Sequence, residues 1–204
     1  MTIAGFLTYS LALFVAAAVP GPGIVALVAR ALGSGFRATV PMALGLILGD
    51  LTYLTAAVLG LAFIAQTFGL IFLAFKYAGA AYLGYLAYKF WTSGVGIERI
   101  EAQKADEAFE SFLSGLVVTL GNPKVMIFYL AILPAIVDLS TVSMNDYIIL
   151  VALTAAVLLS VLLPYLALAS RTRTLLQTPV AVKRISRVAA TFLGGAAVAI
   201  AMRA

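Results

Sequence analysis

In a chain of 204 residues, 64% are hydrophobic and 10% charged, against about 45–50% and about 25% in a soluble domain. That much apolar surface does not fit into one water-soluble core of this size. The net charge of +5 gathers at the ends of apolar runs rather than in an aromatic-interleaved basic patch, which argues against nucleic acid as a partner. With no Cys and no His, thiol electron transfer, disulfides and the usual zinc sites are excluded as well.

Lipid is then the natural solvent. A spanning helix needs about 20 mostly apolar residues, because about 30 Å of hydrocarbon is crossed at about 1.5 Å per residue. This ruler predicts six spans, at 6–28, 40–65, 68–90, 112–135, 147–169 and 188–202. Membrane β-strands alternate apolar and polar residues, and the runs 54–64 and 148–163 do not. The expected fold is therefore all-α, polytopic, with six transmembrane helices.

The first run has no basic residue ahead of it and exceeds a signal-peptide core, so it reads as a span rather than a cleaved leader. Pro20-Gly21-Pro22-Gly23 interrupts it. The second run carries Gly45-x-x-x-Gly49, a spacing that permits close helix approach, and then Asp50. The third carries Lys76, Gly79-Ala80-Ala81, and Tyr82, Tyr85 and Tyr88 at helical spacing, with Tyr82 the deepest. Glu98, Arg99, Glu101, Lys104, Asp106, Glu107 and Glu110 mark residues 92–111 as a solvated linker, partly helical at most. It divides the chain into halves 1–91 and 112–204. The fourth run breaks at Gly121-Asn122-Pro123 and continues with Lys124. Residues 171–187 mix polar and apolar positions, with Pro179 as a breaker, and are expected along the inner interface against anionic lipid. The sixth run is short.

Orientation follows the basic residues, which stay cytoplasmic. Arg30 and Arg37 lie in the first connection, Arg99 and Lys104 in the third, and Arg171, Arg173, Lys183, Arg184 and Arg187 in the fifth. Those connections, the 92–111 linker included, are expected inside and both termini outside, although Arg203 goes against the trend. Three helices per half give the second half an inverted orientation, with broken helices 1 and 4 in corresponding places. Paired breaks of this kind point to a transporter's binding site.

Proline removes an amide and disturbs the carbonyl one turn earlier, and in hydrocarbon such freed groups persist only where protein or water satisfies them. Asp50, Lys124 and Lys76 each cost roughly 2.5–3.5 kcal/mol at a helix centre. One compensation is mutual pairing of Asp50 with a lysine, or snorkelling of Lys76. The other is a polar cavity at the bilayer centre. Such a cavity suits a zwitterion: helix N-terminal amides, with Lys124 or Lys76, for a carboxylate, and Asp50 with freed carbonyls for an ammonium. Asp50 is also the candidate proton carrier. No metal site is expected, because a hard cation wants several oxygen ligands and Asp50 is the only acid deep in a span.

At these residues the chain resembles the LysE/RhtB family of bacterial amino-acid exporters, over essentially its whole length. The likeness rests on Pro20-Gly21-Pro22-Gly23, on Gly45 to Gly49-Asp50, on Lys76-x-x-Gly79-Ala80-x-Tyr82-Leu83, and on Gly121-Asn122-Pro123-Lys124. It departs in helix 6, where Ala189 and Ala190 stand in place of a glycine. The resemblance implies an inner-membrane, proton-coupled exporter of amino acids or related metabolites, without a cofactor and not an enzyme. By that likeness Pro20, Gly21, Pro22 and Gly23 form one break and Asn122, Pro123 and Lys124 the other, with Asp50 and Lys76 as intramembrane ionisable groups. Related families move divalent cations, which keeps a cation transporter as the alternative, with a membrane enzyme further behind. A homo-oligomer is compatible with the sequence.

Overall fold

The protein is described by a computed structural model, which covers residues 1–60, 105–172 and 179–202 together with single positions between 77 and 92. The described residues are helical or turn, with no strand among them. Lys76 and Tyr82 lie outside the described residues.

Helix α1, Ile3–Ala18, starts on Thr2, whose Oγ1 accepts from the Gly5 amide at 3.2 Å. It stops where Pro20 and Pro22 withhold two of three successive helical amides. Helix α2, Pro22–Ser34, resumes with proline at its first position, where the missing donor is harmless. The two axes bend by 56°. The expected span ended at residue 28, but α2 continues six residues further. Gly35, at φ 82, closes it and turns the chain directly into α3, Phe36–Val58. The expected end of that span at residue 65 is also corrected: Leu59 and Gly60 form a turn, with Gly60 at φ 72, the left-handed cap that glycine supplies without strain.

Helix α4, Ala105–Leu120, includes the last part of the polar linker. After Gly121 and Asn122 the chain continues as α5, Pro123–Ile127, a π-helical turn at Phe128–Ile132, and α6, Leu133–Ile136. The second bend is 53°. Pro134 offers no amide to the carbonyl four residues earlier, and the wide turn just before it takes up that gap. After a 3-10 turn at Leu139–Thr141, α7, Met144–Thr172, begins on Ser143, which exchanges bonds with Asp146. The last helix, α8, is Pro179–Met202. Pro179 opens it rather than breaking the chain, so the short span expected at 188–202 is the end of a longer helix whose first turns carry Lys183, Arg184 and Arg187.

Helices α3 and α7 are each long and apolar enough to cross a membrane, and each bent pair passes the same test when taken as one span. The surface agrees. Ile3, Leu7, Leu11 and Phe14 form an exposed apolar row on α1, and Ile148, Leu159 and Leu163 are exposed on α7. Water would not tolerate a contiguous surface of this kind on a monomer; lipid does. The chain is a multi-pass, membrane-embedded helical protein.

Close packing of α3 on α4 fixes the frame. A Cβ on Gly45 would collide with the Phe112 carbonyl, one on Gly115 with the Met42 carbonyl, and one on Gly49 would lie 2.5 Å from Thr119 Cβ. The Gly45-x-x-x-Gly49 spacing thus does the packing expected of it. Two apolar clusters fill the interior. One gathers Leu27, Leu46, Val118, Leu162 and Leu193, the other Tyr9, Leu13, Leu54, Phe128 and Leu133. Ala189 packs against Ala29, so alanine meets alanine where α8 approaches α2.

Candidate functional site

Both breaks open on one half-open cavity at the junction of the two clusters. It holds about 550 Å³ of space between protein atoms, its open mouth included, and Asp50, Lys124, Asn122, Gly21, Gly23 and Thr119 are among its lining residues. Apolar walls come from Leu13, Ile24, Leu46, Phe128, Leu158 and Leu162. Pro20, Pro22, Gly121 and Pro123 shape the breaks without lining the cavity. Sixteen residues precede the first break and thirteen follow it in α2, so the cavity sits near the middle of the bent rod.

Three carbonyls released at the first break, those of Ala16, Ala18 and Val19, are answered from elsewhere. In a continuous helix the Ala16 and Ala18 carbonyls would accept from residues 20 and 22, which are both proline. Lys124 Nζ instead donates to Ala16 O at 2.8 Å and to Val19 O at 2.6 Å, and the Tyr165 hydroxyl donates to Ala18 O at 3.0 Å. The amide side is different. Gly21 caps α2 with no side chain, and Gly23 and Ile24, whose first-turn amides have no intrahelical partner, are among the residues lining the cavity. At the second break Asn122 caps α5, its Oδ1 accepting from the Lys124 amide at 3.1 Å.

Asp50 is buried, at 8% exposure. The expectation that it pairs with a lysine is not met by Lys124: both line the cavity, but the ammonium is spent on α1 carbonyls and no ion pair joins the two. A four-carbon stem lets Lys124 reach orphan carbonyls that a shorter cation could not.

Beside the carboxylate stand hydroxyls that the sequence reading passed over. The Tyr129 hydroxyl lies next to Asp50 and Tyr9, yet it is the buried side-chain polar atom, among the described residues, that has no hydrogen bond of ordinary geometry. Its ring stacks on Tyr53 at 6.3 Å and 10°, and the Tyr53 hydroxyl donates to the Leu120 carbonyl at the end of α4. Tyr9 and Thr154 share a 2.6 Å hydrogen bond, and Thr154 donates to Leu150 O at 2.7 Å. Register could have found one of these groups: Tyr53 follows Asp50 by three residues within α3 and so shares its helix face.

The family model for LysE type translocators matches residues 14–204. A leucine efflux protein of Enterobacter sp. (strain 638) is 28% identical over 153 residues, covering 74% of this chain and 72% of that protein. A homoserine/homoserine lactone efflux protein of Salmonella typhimurium is 26% identical over 187 residues, covering 92% of this chain and 91% of that protein. An uncharacterized membrane protein of Synechocystis is 29% identical over 140 residues, 69% of this chain and 68% of the relative. No solved structure matches the chain.

Proposed function

Because this chain belongs to the LysE type translocator family, we propose that it exports an amino acid, or a related small zwitterion, from the cytoplasm across the inner membrane by proton antiport. It is a transporter and not an enzyme. The observation that carries the reading is the meeting of Asp50, Lys124 and both helix breaks on one cavity. The substrate carboxylate takes the bare first-turn amides of α2, where the helix dipole also favours an anion. The apolar walls receive the side chain. Asp50 carries the proton, and Tyr129, with no other fixed partner, turns its hydroxyl with the state of that carboxylate.

Access alternates between the two faces as halves 1–91 and 112–204 rock about the cavity. The similar bends of 56° and 53° at corresponding breaks support two inverted three-helix repeats, hence six spans. The basic connections are cytoplasmic by the positive-inside rule, which sets both termini outside. By sequence pattern alone, Lys76 and Tyr82 are assigned to the same transport role. A divalent cation is the weaker reading, because hard cations take six or more oxygens and Asp50 is the single carboxylate among the lining residues.

The test is uptake of a panel of labelled amino acids into everted vesicles under an imposed proton gradient, acid inside. Uptake of at least one amino acid above that of vesicles lacking the protein, abolished when the gradient is collapsed, is expected. No uptake of any of them would overturn the reading.

A further inference from the structure

The C-terminal end of α1 holds an ammonium from another helix. Two donations from Lys124 Nζ, at 2.8 Å to Ala16 O and 2.6 Å to Val19 O, place a full positive charge on carbonyls at the negative end of the α1 dipole. The Ala16 carbonyl is orphaned by Pro20, so the chain itself keeps that acceptor free of backbone. Room is kept as well. Gly21 has φ −131 and ψ −173, extended backbone that any residue adopts. A Cβ there would nevertheless lie 3.3 Å from Lys124 Nζ and 3.4 Å from Cε. Glycine at this point supplies space for an ammonium rather than a conformation. The site opens on the cavity, since Ala16, Gly21 and Lys124 all line it.

We propose that the Ala16 and Val19 carbonyls form the subsite for the primary ammonium of the substrate, and that Lys124 is a tethered ammonium that occupies it between substrates. This rests on the amino-acid reading given above. An incoming zwitterion brings its own ammonium to the two carbonyls, and the displaced Nζ swings into the cavity, where the substrate carboxylate and Asp50 both offer it a partner. The exchange leaves the number of ammonium groups on those carbonyls unchanged, so no orphan acceptor is exposed at any stage. It also selects: a carboxylic acid without an ammonium cannot release Lys124. When the substrate leaves, the lysine returns and closes the subsite to stray cations.

The experiment removes the tether and supplies a free ammonium. Lys124→Ala and Lys124→Met proteins, purified in detergent, are unfolded thermally in methylammonium chloride, tetramethylammonium chloride or sodium chloride at equal ionic strength. The Met variant keeps the stem, so a folded sample remains if the Ala variant is unstable. Methylammonium is expected to raise the unfolding midpoint of the variants saturably and to leave the wild-type protein unmoved. Tetramethylammonium, with no N–H to donate, is expected to match sodium. An effect of methylammonium no larger than that of the other two salts in both variants would overturn the subsite. No amino acid and no flux enter this measurement. Failure here with amino-acid uptake intact removes only the subsite, whereas success without uptake leaves an ammonium site and removes the amino-acid reading.

Discussion

The two helix breaks look alike in sequence and are finished in opposite ways. At the second, hydrogen bonds close mostly within the neighbourhood, the Tyr53 hydroxyl on the Leu120 carbonyl being a borrowed donor: Asn122 caps α5, and the Gly121 and Asn122 amides bond back to the Val117 and Thr119 carbonyls at 2.9 and 3.0 Å. At the first, the carbonyls of Ala16, Ala18 and Val19 borrow donors from α5 and α7, and the amide end of α2 is left without a side-chain cap. A break that completes its own bonds can act as a scaffold, while one that borrows them can exchange partners with a ligand. On the proposed reading, the second break serves mainly as support and the first as the binding end.

The largest expected effect falls on the frame that brings the two together. Gly45→Ala drives a methyl into the Phe112 carbonyl, where neither backbone can yield, and overpacking of this kind costs about 1–3 kcal/mol or more. We expect loss of the monodisperse folded species in size-exclusion chromatography. Gly195→Ala, with no described atom within 4 Å of its Cβ, is the matched control and should be neutral or stabilising by up to about 1 kcal/mol.

Capping the bare end should separate stability from transport. Gly21→Asp provides α2 with an internal carboxylate; its Cβ crowds Lys124 Nζ at 3.3 Å, so the flexible ammonium must shift toward the new carboxylate, and the cap and charge together are worth a few tenths of a kcal/mol to about 1 kcal/mol. The same carboxylate takes the place proposed for the substrate's. Flux should drop by about tenfold or more while the melting temperature holds or rises; preserved flux would remove the α2 N-terminus from the site. The converse change, Asn122→Ala, removes the cap at the scaffold break and should lower stability by about 1 kcal/mol, with a smaller effect on flux per folded molecule.

Tyr129→Phe removes a hydroxyl that has no ordinary partner, so little stability should be lost, since deleting an unsatisfied buried group relieves its desolvation cost. Proton-coupled flux should slow by several-fold if that hydroxyl follows Asp50, and a variant with wild-type flux would reduce Tyr129 to packing. Labelling should change nothing in function. Because the chain has no cysteine, Thr141→Cys and Glu110→Cys each introduce a single thiol. A membrane-impermeant maleimide is expected to label the first from outside intact cells and not the second.

The breaks were legible because proline and glycine act locally, and Asp50 and Lys124 because charge stands out in an apolar run. Their convergence followed from the cost of burying them separately. Other features were hidden for physical reasons. Pro179 punctuates a sequence equally well as a breaker or as a first helical residue, and only the fold decides which. Helix α3 ends at Val58 because Gly60 adopts a left-handed turn, although the apolar composition runs past it. The partners of Lys124 are two backbone carbonyls, which leave no mark in the residue pattern. Tyr9, Tyr53, Tyr129 and Thr154 carry no mark in the sequence, because rings and methyls suit an apolar span, and their hydroxyls matter only once Asp50 is beside them.

The central claim is that the carboxylate at the meeting of the breaks couples protons to the solute. Purified wild-type and Asp50→Asn proteins, reconstituted in liposomes and given the same pH gradient, test it most directly. The account predicts amino-acid flux driven by the gradient in the first and flux that is absent, or indifferent to the gradient, in the second, with both proteins equally folded. Equal flux with the same dependence on the gradient in the two proteins would contradict it.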